Sequence, residues 1–256
     1  MPYADNEGIR IHYRTEGEGP PVVLHHWSLA TMEDWYDYGY VSALKNDYRL
    51  VLLDARGNGS SDKPHTPEAY ELEKRVGDIV AVLDDLGIAK AHYFGYSMGG
   101  WIGFGLARYA PERFRSLILG GAAPYASNMD CLRQFVRVGV EKGPEALVAM
   151  WEEEYGALSS EARERMLAYD YEALLVAVQD RESLEAVLPT MRMPCLLYAG
   201  GMDEYQPIEE CAKQIPNATF FTLPGLDHGG AIDRSDEVLP HVKRSLAEVD
   251  QQTGAA

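Results

Sequence analysis

Residues Ala91–Gly105 read Ala-His-Tyr-Phe-Gly-Tyr-Ser-Met-Gly-Gly-Trp-Ile-Gly-Phe-Gly, and no other stretch of the chain restricts its fold as tightly. A β-prone start ends at Gly95, Ser97 stands two residues from Gly95 and two from Gly99, and a helix-compatible run, Trp101–Arg108, follows at once. This spacing predicts strand, sharp turn, helix. A side chain held at the tip of so tight a turn strains the backbone, and glycines on either side remove the collisions that a Cβ would cause. Gly100 lets the helix pack close to the strand. The helix N-terminus points unpaired N–H groups at the turn, where they favour a developing negative charge. Ser97 therefore has the setting of a nucleophile. An ordinary tight turn that happens to carry serine is the competing reading, and the presence of a base and an orienting acid elsewhere decides between them.

Composition sets the frame. The chain has 256 residues, enough for one large α/β domain or two small ones, and 46% of them are hydrophobic, as in a water-soluble globular protein. No apolar run is long enough for a spanning helix. The start, Met-Pro-Tyr-Ala-Asp-Asn-Glu, lacks the basic-then-apolar order of an export signal, so a cytoplasmic location is expected. The three cysteines, at 131, 195 and 211, have no metal-ligand spacing and are expected reduced, with Cys195 a buried small residue. A net charge of −17 opposes partnership with nucleic acid or an anionic membrane.

Around Ala91–Gly105 the chain alternates. Residues 2–16 suggest a hairpin about Asn6-Glu7-Gly8, with Ile9, Ile11 and Tyr13 on one face. Pro21-Val22-Val23-Leu24-His25 is a continuous apolar run, as in a buried parallel strand. Thr31–Asp47 is expected helical, with Thr31 as N-cap, although Gly39 interrupts it. Tyr48–Leu53 reads as a strand, Pro67–Leu86 as an amphipathic helix ending at Gly87, and Phe114–Leu119 as another strand. From about residue 126 to 188 no strand is expected; residues 141–186 carry twelve Asp or Glu against four Lys or Arg, so much of this helical stretch faces water. Strands resume at residues 194–200 and 219–223, and Ser235–Val249 closes the chain as a helix carrying a solvent-facing His241, with a loose tail from Gln251. Strand and helix in alternation imply a mostly parallel sheet with helices on both faces. His25-His26 has no further ligand at metal spacing and reads as a packed strand end. Gly57-Asn58-Gly59 lacks the rest of a dinucleotide or P-loop pattern.

With the elbow at Ser97 and this alternation, the chain resembles the α/β-hydrolases, serine esterases and lactonases with a helical cap. The resemblance covers nearly the whole sequence as a single domain, 1–256, and implies a cap insertion at about 126–190. It also implies the chain order nucleophile, acid, base. Gly200, Asp203 and Pro207 fit the family's acid turn, Gly-x-x-Asp-x-x-x-Pro, which makes Asp203 the expected acid; Glu204 and Asp130 are its competitors. His228 lies 25 residues further on, just beyond a strand and followed by two glycines, and is the expected base; Asp227 is expected to point elsewhere. Asp54-Ala55-Arg56-Gly57-Asn58-Gly59-Ser60-Ser61 matches a family turn whose role is structural. The oxyanion donors would be the backbone N–H groups of Met98 and Trp27. The family usually has His-Gly before the latter, and here His26 replaces the glycine.

The activity so implied is hydrolysis of a small carboxylic ester or lactone through an acyl-enzyme, with no cofactor and no metal, and with a rate that rises as the base loses its proton. Serine at position 97 separates the chain from relatives with aspartate at the elbow, such as haloalkane dehalogenases and epoxide hydrolases. The same triad also serves carbon–carbon bond hydrolases, perhydrolases and hydroxynitrile lyases, and some hydrolase-like proteins act as small-molecule receptors with little turnover. Natural substrate and oligomeric state are left open by these motifs.

Overall fold

The structure, a computed structural model, describes residues 2–203 and 207–254. Eight strands form one sheet: β1 (Tyr3–Asn6), β2 (Ile9–Glu16), β3 (Pro21–His25), β4 (Arg49–Leu53), β5 (Ala91–Tyr96), β6 (Phe114–Gly120), β7 (Cys195–Gly200) and β8 (Ala218–Leu223). Their order across the sheet is β1-β2-β4-β3-β5-β6-β7-β8. β1 and β2 form an antiparallel hairpin, β2 also pairs antiparallel with β4, and every other pairing is parallel. The fold is thus the mostly parallel α/β arrangement that the alternating sequence predicts.

The side-chain alternation of the strands sorts the core into two layers. Val23, Val51, Leu53, Tyr93, Leu117 and Leu119 face one side, where α3 (Leu72–Asp85), α4 (Met98–Tyr109) and α9 (Ile208–Ala212) cover them. Val22, Leu24, Leu50, Leu52, Phe94 and Ile118 face the other, under α1 (Asp34–Asp37), α2 (Tyr40–Leu44), α10 (His228–Asp233) and α11 (Ser235–Gly254). Both faces are covered, which is why the central strands read as unbroken apolar runs. Between β6 and β7 the chain forms α5 (Asp130–Lys142), α6 (Pro144–Tyr155), α7 (Ser160–Leu167) and α8 (Tyr171–Ala177). These helices share a third apolar cluster of their own, centred on Val136, Leu147, Val148 and Met166.

Several local expectations need correction. Thr31–Asp47 is not one helix: Gly39, at φ +80°, separates α1 from α2. Thr31 is not the cap; its N–H and hydroxyl both donate to the Asp34 carboxylate. Pro67–Tyr70 is a 3-10 turn, and α3 starts only after an extended Glu71. The terminal helix runs on to Gly254, past the expected tail. His241 is half-buried and stacks on Phe221, with ring centroids 4.0 Å apart. Among the described residues no helix is long and apolar enough to cross a membrane.

The strand order reverses at β3: the chain goes out to β4 on one side and returns to β5 on the other. At such a reversal the loops leaving the two strands part, and a crevice opens at their carboxyl ends. Trp27 follows β3 and Ser97 follows β5, so both stand at the edge of this crevice.

Candidate active site

Ser97 sits between β5 and α4 with φ +50° and ψ −106°, a backbone conformation that non-glycine residues rarely adopt. The surrounding packing holds it there. The Ser97 N–H donates to the Gly120 carbonyl at 2.8 Å, and its carbonyl accepts the first helical bond, from Trp101 N–H, at 2.8 Å. A Cβ on Gly95 would lie 2.4 Å from the Gly99 carbonyl, and a Cβ on Gly99 would lie 2.3 Å from the His25 carbonyl oxygen. These two glycines bring the end of β3, the end of β5 and the start of α4 closer together than side chains allow.

Asp203 and His228 come from separate elements and meet. Asp203 follows β7, and its side chain is 1% exposed. His228 opens the short helix α10, which the Asp227 carboxylate caps by accepting from Gly230 N–H at 2.7 Å. Asp227 therefore does point elsewhere. The His228 Nδ1 lies 3.0 Å from the Asp203 carboxylate, which can only accept, so Nδ1 is the donor; in the neutral ring the lone pair then lies on Nε2. The ring packs over Tyr96, whose centroid is 5.3 Å away, and the Tyr96 hydroxyl donates to the His228 carbonyl at 2.5 Å. Gly121, at φ +58°, leaves room for the imidazole: a Cβ there would lie 2.9 Å from its Cε1. Tyr96 immediately precedes Ser97, so the acid–histidine pair is anchored to the strand that carries the serine. Of the competing acids, Asp130 is on the surface of α5 and pairs with Arg133, and Glu204 lies outside the described residues.

His26 is completely buried, and both ring nitrogens are used. Nε2 accepts from Ala55 N–H at 3.0 Å, and Nδ1 donates to the Trp27 carbonyl at 2.7 Å. Such an imidazole must be neutral, and burial lowers its pKa accordingly. The ring ties the loop after β3 to the turn after β4. On the other side of that loop, the Tyr169 hydroxyl donates to the Leu29 carbonyl at 3.0 Å. Among the described residues neither Trp27 N–H nor Met98 N–H has a hydrogen-bond acceptor. Beneath the elbow, Tyr93 hydroxyl donates to the Gly99 carbonyl and accepts from His25 Nδ1, each at 2.7 Å. None of the roles of Tyr93, Tyr96 and His26 was legible in the sequence, because each depends on a partner brought by another strand or loop.

A cavity of about 340 Å³ opens beside the elbow. Met98, Ser28 and Leu29 line it from the strand ends, Trp101 and Arg75 from α4 and α3, and Leu132, Val136 and Leu174 from the helices between β6 and β7.

A mostly parallel sheet with a strained serine elbow at its point of strand reversal defines a hydrolase of the α/β class. The chain belongs to the alpha/beta hydrolase fold family, whose model matches residues 20–149. A relative in Stutzerimonas stutzeri, named "Putative carbamate hydrolase RutD", is 26% identical over 264 aligned residues, which cover 96% of this chain and 98% of that protein. Epoxide hydrolase 4 of Mus musculus is 37% identical over 116 residues, 44% of this chain and 32% of that protein. Among solved structures, the enol-lactonase of Burkholderia xenovorans LB400 superposes with a TM-score of 0.83 at 27% identity, over 96% of this chain and all (100%) of that one.

Proposed function

We propose that this protein hydrolyses a small carboxylic ester or lactone, with Ser97 as nucleophile, His228 as base and Asp203 as the acid that orients it. The observation that carries the reading is the strained Ser97 at the carboxyl end of β5, next to the residue whose side chain anchors the paired His228 and Asp203. The Ser97 hydroxyl attacks the carbonyl carbon as His228 Nε2 removes its proton. Asp203 holds the Nδ1–H tautomer and stabilises the imidazolium. The oxyanion is received by Met98 and Trp27 N–H groups, each worth about 3 kcal/mol in comparable sites. His228 returns the proton to the departing alkoxide, then activates water to cleave the acyl-enzyme. The helices between β6 and β7 act as a cap that forms the far wall of the acyl pocket. Serine rather than aspartate at the elbow favours ester chemistry over epoxide opening, and the structural likeness to an enol-lactonase is in keeping with a lactone or ester substrate.

The test is hydrolysis of p-nitrophenyl butyrate by wild type and Ser97→Ala. The expected result is multiple turnover by the wild type and a loss of about 10³-fold or more in kcat for the variant. Equal rates would remove Ser97 from the mechanism, and a folded wild type without turnover would favour a receptor or a lyase.

A further inference from the structure

Arg75 and Arg181 both line the cavity beside the elbow, and among the described residues neither forms an ion pair; Asp78, the acid whose charge acts on Arg75, is itself gripped by Arg56. Arg75 is 5% exposed. Its Nε donates to the Tyr70 carbonyl at 2.8 Å, one terminal nitrogen to the Ala177 carbonyl at 2.6 Å, and the other to the Met98 sulfur at 3.5 Å. All three acceptors are neutral, and a guanidinium has five N–H donors. The half-buried Arg181 lies over the Trp101 ring, 5.0 Å from its centroid, and among the described residues its side chain makes no hydrogen bond or ion pair. Buried cations are ordinarily paired, because an unpaired one loses its hydration without replacement. Burial, with the repulsion of Arg75 added at Arg181, lowers both guanidinium pKa values to about 10, which still leaves both charged at neutral pH.

Scarcity of acid does not explain this. The chain has 40 Asp and Glu against 23 Lys and Arg. The two residues flanking Arg181 are acidic, but Asp180 is bound to Arg133 at 2.8 Å and Glu182 to Arg108 at 3.3 Å. At the cavity mouth Glu71 and Glu73 are exposed, and Glu71 pairs with Lys74. Two like charges thus line a cavity of mixed polar and apolar character, in which three of the four acidic lining residues, Glu71, Asp180 and Glu182, are paired with other cations and Glu73 is exposed.

We propose that the substrate carries a carboxylate, and that Arg75 and Arg181 hold it in this cavity while its apolar body packs against Leu132, Val136 and Leu174. A carboxylate matches the planar donor fork of a guanidinium. Met98 joins the two sites: its N–H faces the oxyanion in the mechanism above, and its sulfur touches Arg75. The substrate class therefore rests on the Ser97 reading, whereas anion binding itself does not.

Two measurements keep these apart. In the first, glutarate is titrated calorimetrically into wild type, Arg181→Gln and Arg181→Lys. Binding by the wild type, weakened about tenfold or more in Arg181→Gln and less in Arg181→Lys, is expected. No binding by the wild type, or equal affinity in a folded Arg181→Gln, overturns the proposal. In the second, release of 4-nitrophenol is followed and kcat/KM compared for mono-(4-nitrophenyl) pimelate and its methyl ester, which differ by one negative charge and one methyl group. The wild type is expected to prefer the acid at least tenfold, and Arg181→Gln to reduce that preference through KM. The chain's net negative charge works against the acid, so general electrostatics cannot produce such a preference. Turnover of both esters without preference overturns the proposal. Turnover of neither refutes the Ser97 mechanism instead, and the glutarate result then decides anion binding alone.

Discussion

Gly99→Ala tests whether the close approach of β3 to the elbow is what sets up catalysis. The new Cβ would stand 2.3 Å from the His25 carbonyl oxygen, 2.9 Å from that of His26 and 3.0 Å from the His25 carbonyl carbon. Ordinary contact begins near 3.4 Å, so one side must move by about 1 Å. All three obstructing atoms are backbone, and β3 is held by β4 and β5 on its two sides, so no side chain can swing away. Overpacking of this kind costs about 1–3 kcal/mol of stability. The larger effect falls on activity. The displacement separates Trp27 N–H from Met98 N–H, and a 1 Å misplacement of reacting groups can lower a rate by about 10²-fold. The assay is kcat for p-nitrophenyl butyrate beside a urea melt monitored by tryptophan fluorescence. Gly87→Ala is the control: it also replaces a positive-φ glycine, at +65°, but its Cβ meets nothing within 4 Å. It should lower stability by about 1 kcal/mol and leave kcat alone. A folded Gly99→Ala with wild-type kcat would refute the argument that this contact positions the proposed oxyanion donors.

Stability should fall with pH because of the buried histidines. Burial lowers the pKa of His26, and lowers that of His25 further, so the unfolded chain binds their protons first. Their contribution is complete above the unfolded value, about 6.5, and is lost as pH falls from there toward the lowered folded values. His26→Gln should flatten the urea-derived stability slope between pH 5 and 6.5 by up to about 1.4 kcal/mol per pH unit; an unchanged slope would mean that His26 is not held neutral. Arg56 grips the Asp78 carboxylate with two nitrogens, at 2.7 and 2.5 Å, in a fully buried pair. Arg56→Met should cost about 3–5 kcal/mol in chemical denaturation, and adding Asp78→Leu should recover much of it. If the double variant is no better than the single, desolvation of Asp78 is not the cause.

The sequence alone determined those features whose physics is local. The backbone at Ser97 needs small neighbours within two residues, so glycines at 95 and 99 announce the elbow directly. Unbroken apolar strands alternating with amphipathic helices require a sheet covered on both faces, and that is the fold observed. Asp203 and His228 stood out because each follows a strand, Asp203 in a turn that resembles the family's acid turn; the tertiary structure brought these residues, 25 positions apart, to a 3.0 Å contact. What the tertiary structure alone decided involves partners far apart in sequence. His26 looked like a misplaced residue until Ala55, from the next strand's turn, supplied its N–H. Gly39 divided an expected helix because the chain there must turn back toward the sheet. Arg75 lies on an amphipathic helix, where an arginine ordinarily faces water, and Arg181 lies in an acid-rich stretch that reads as solvated surface. Helices inserted more than fifty residues downstream of Arg75 cover it and complete the cavity. Hydrophobic periodicity records which face of an element is buried against its own sheet. It carries no trace of what a later segment will lay over the opposite face, and there the charges of this cavity are brought together.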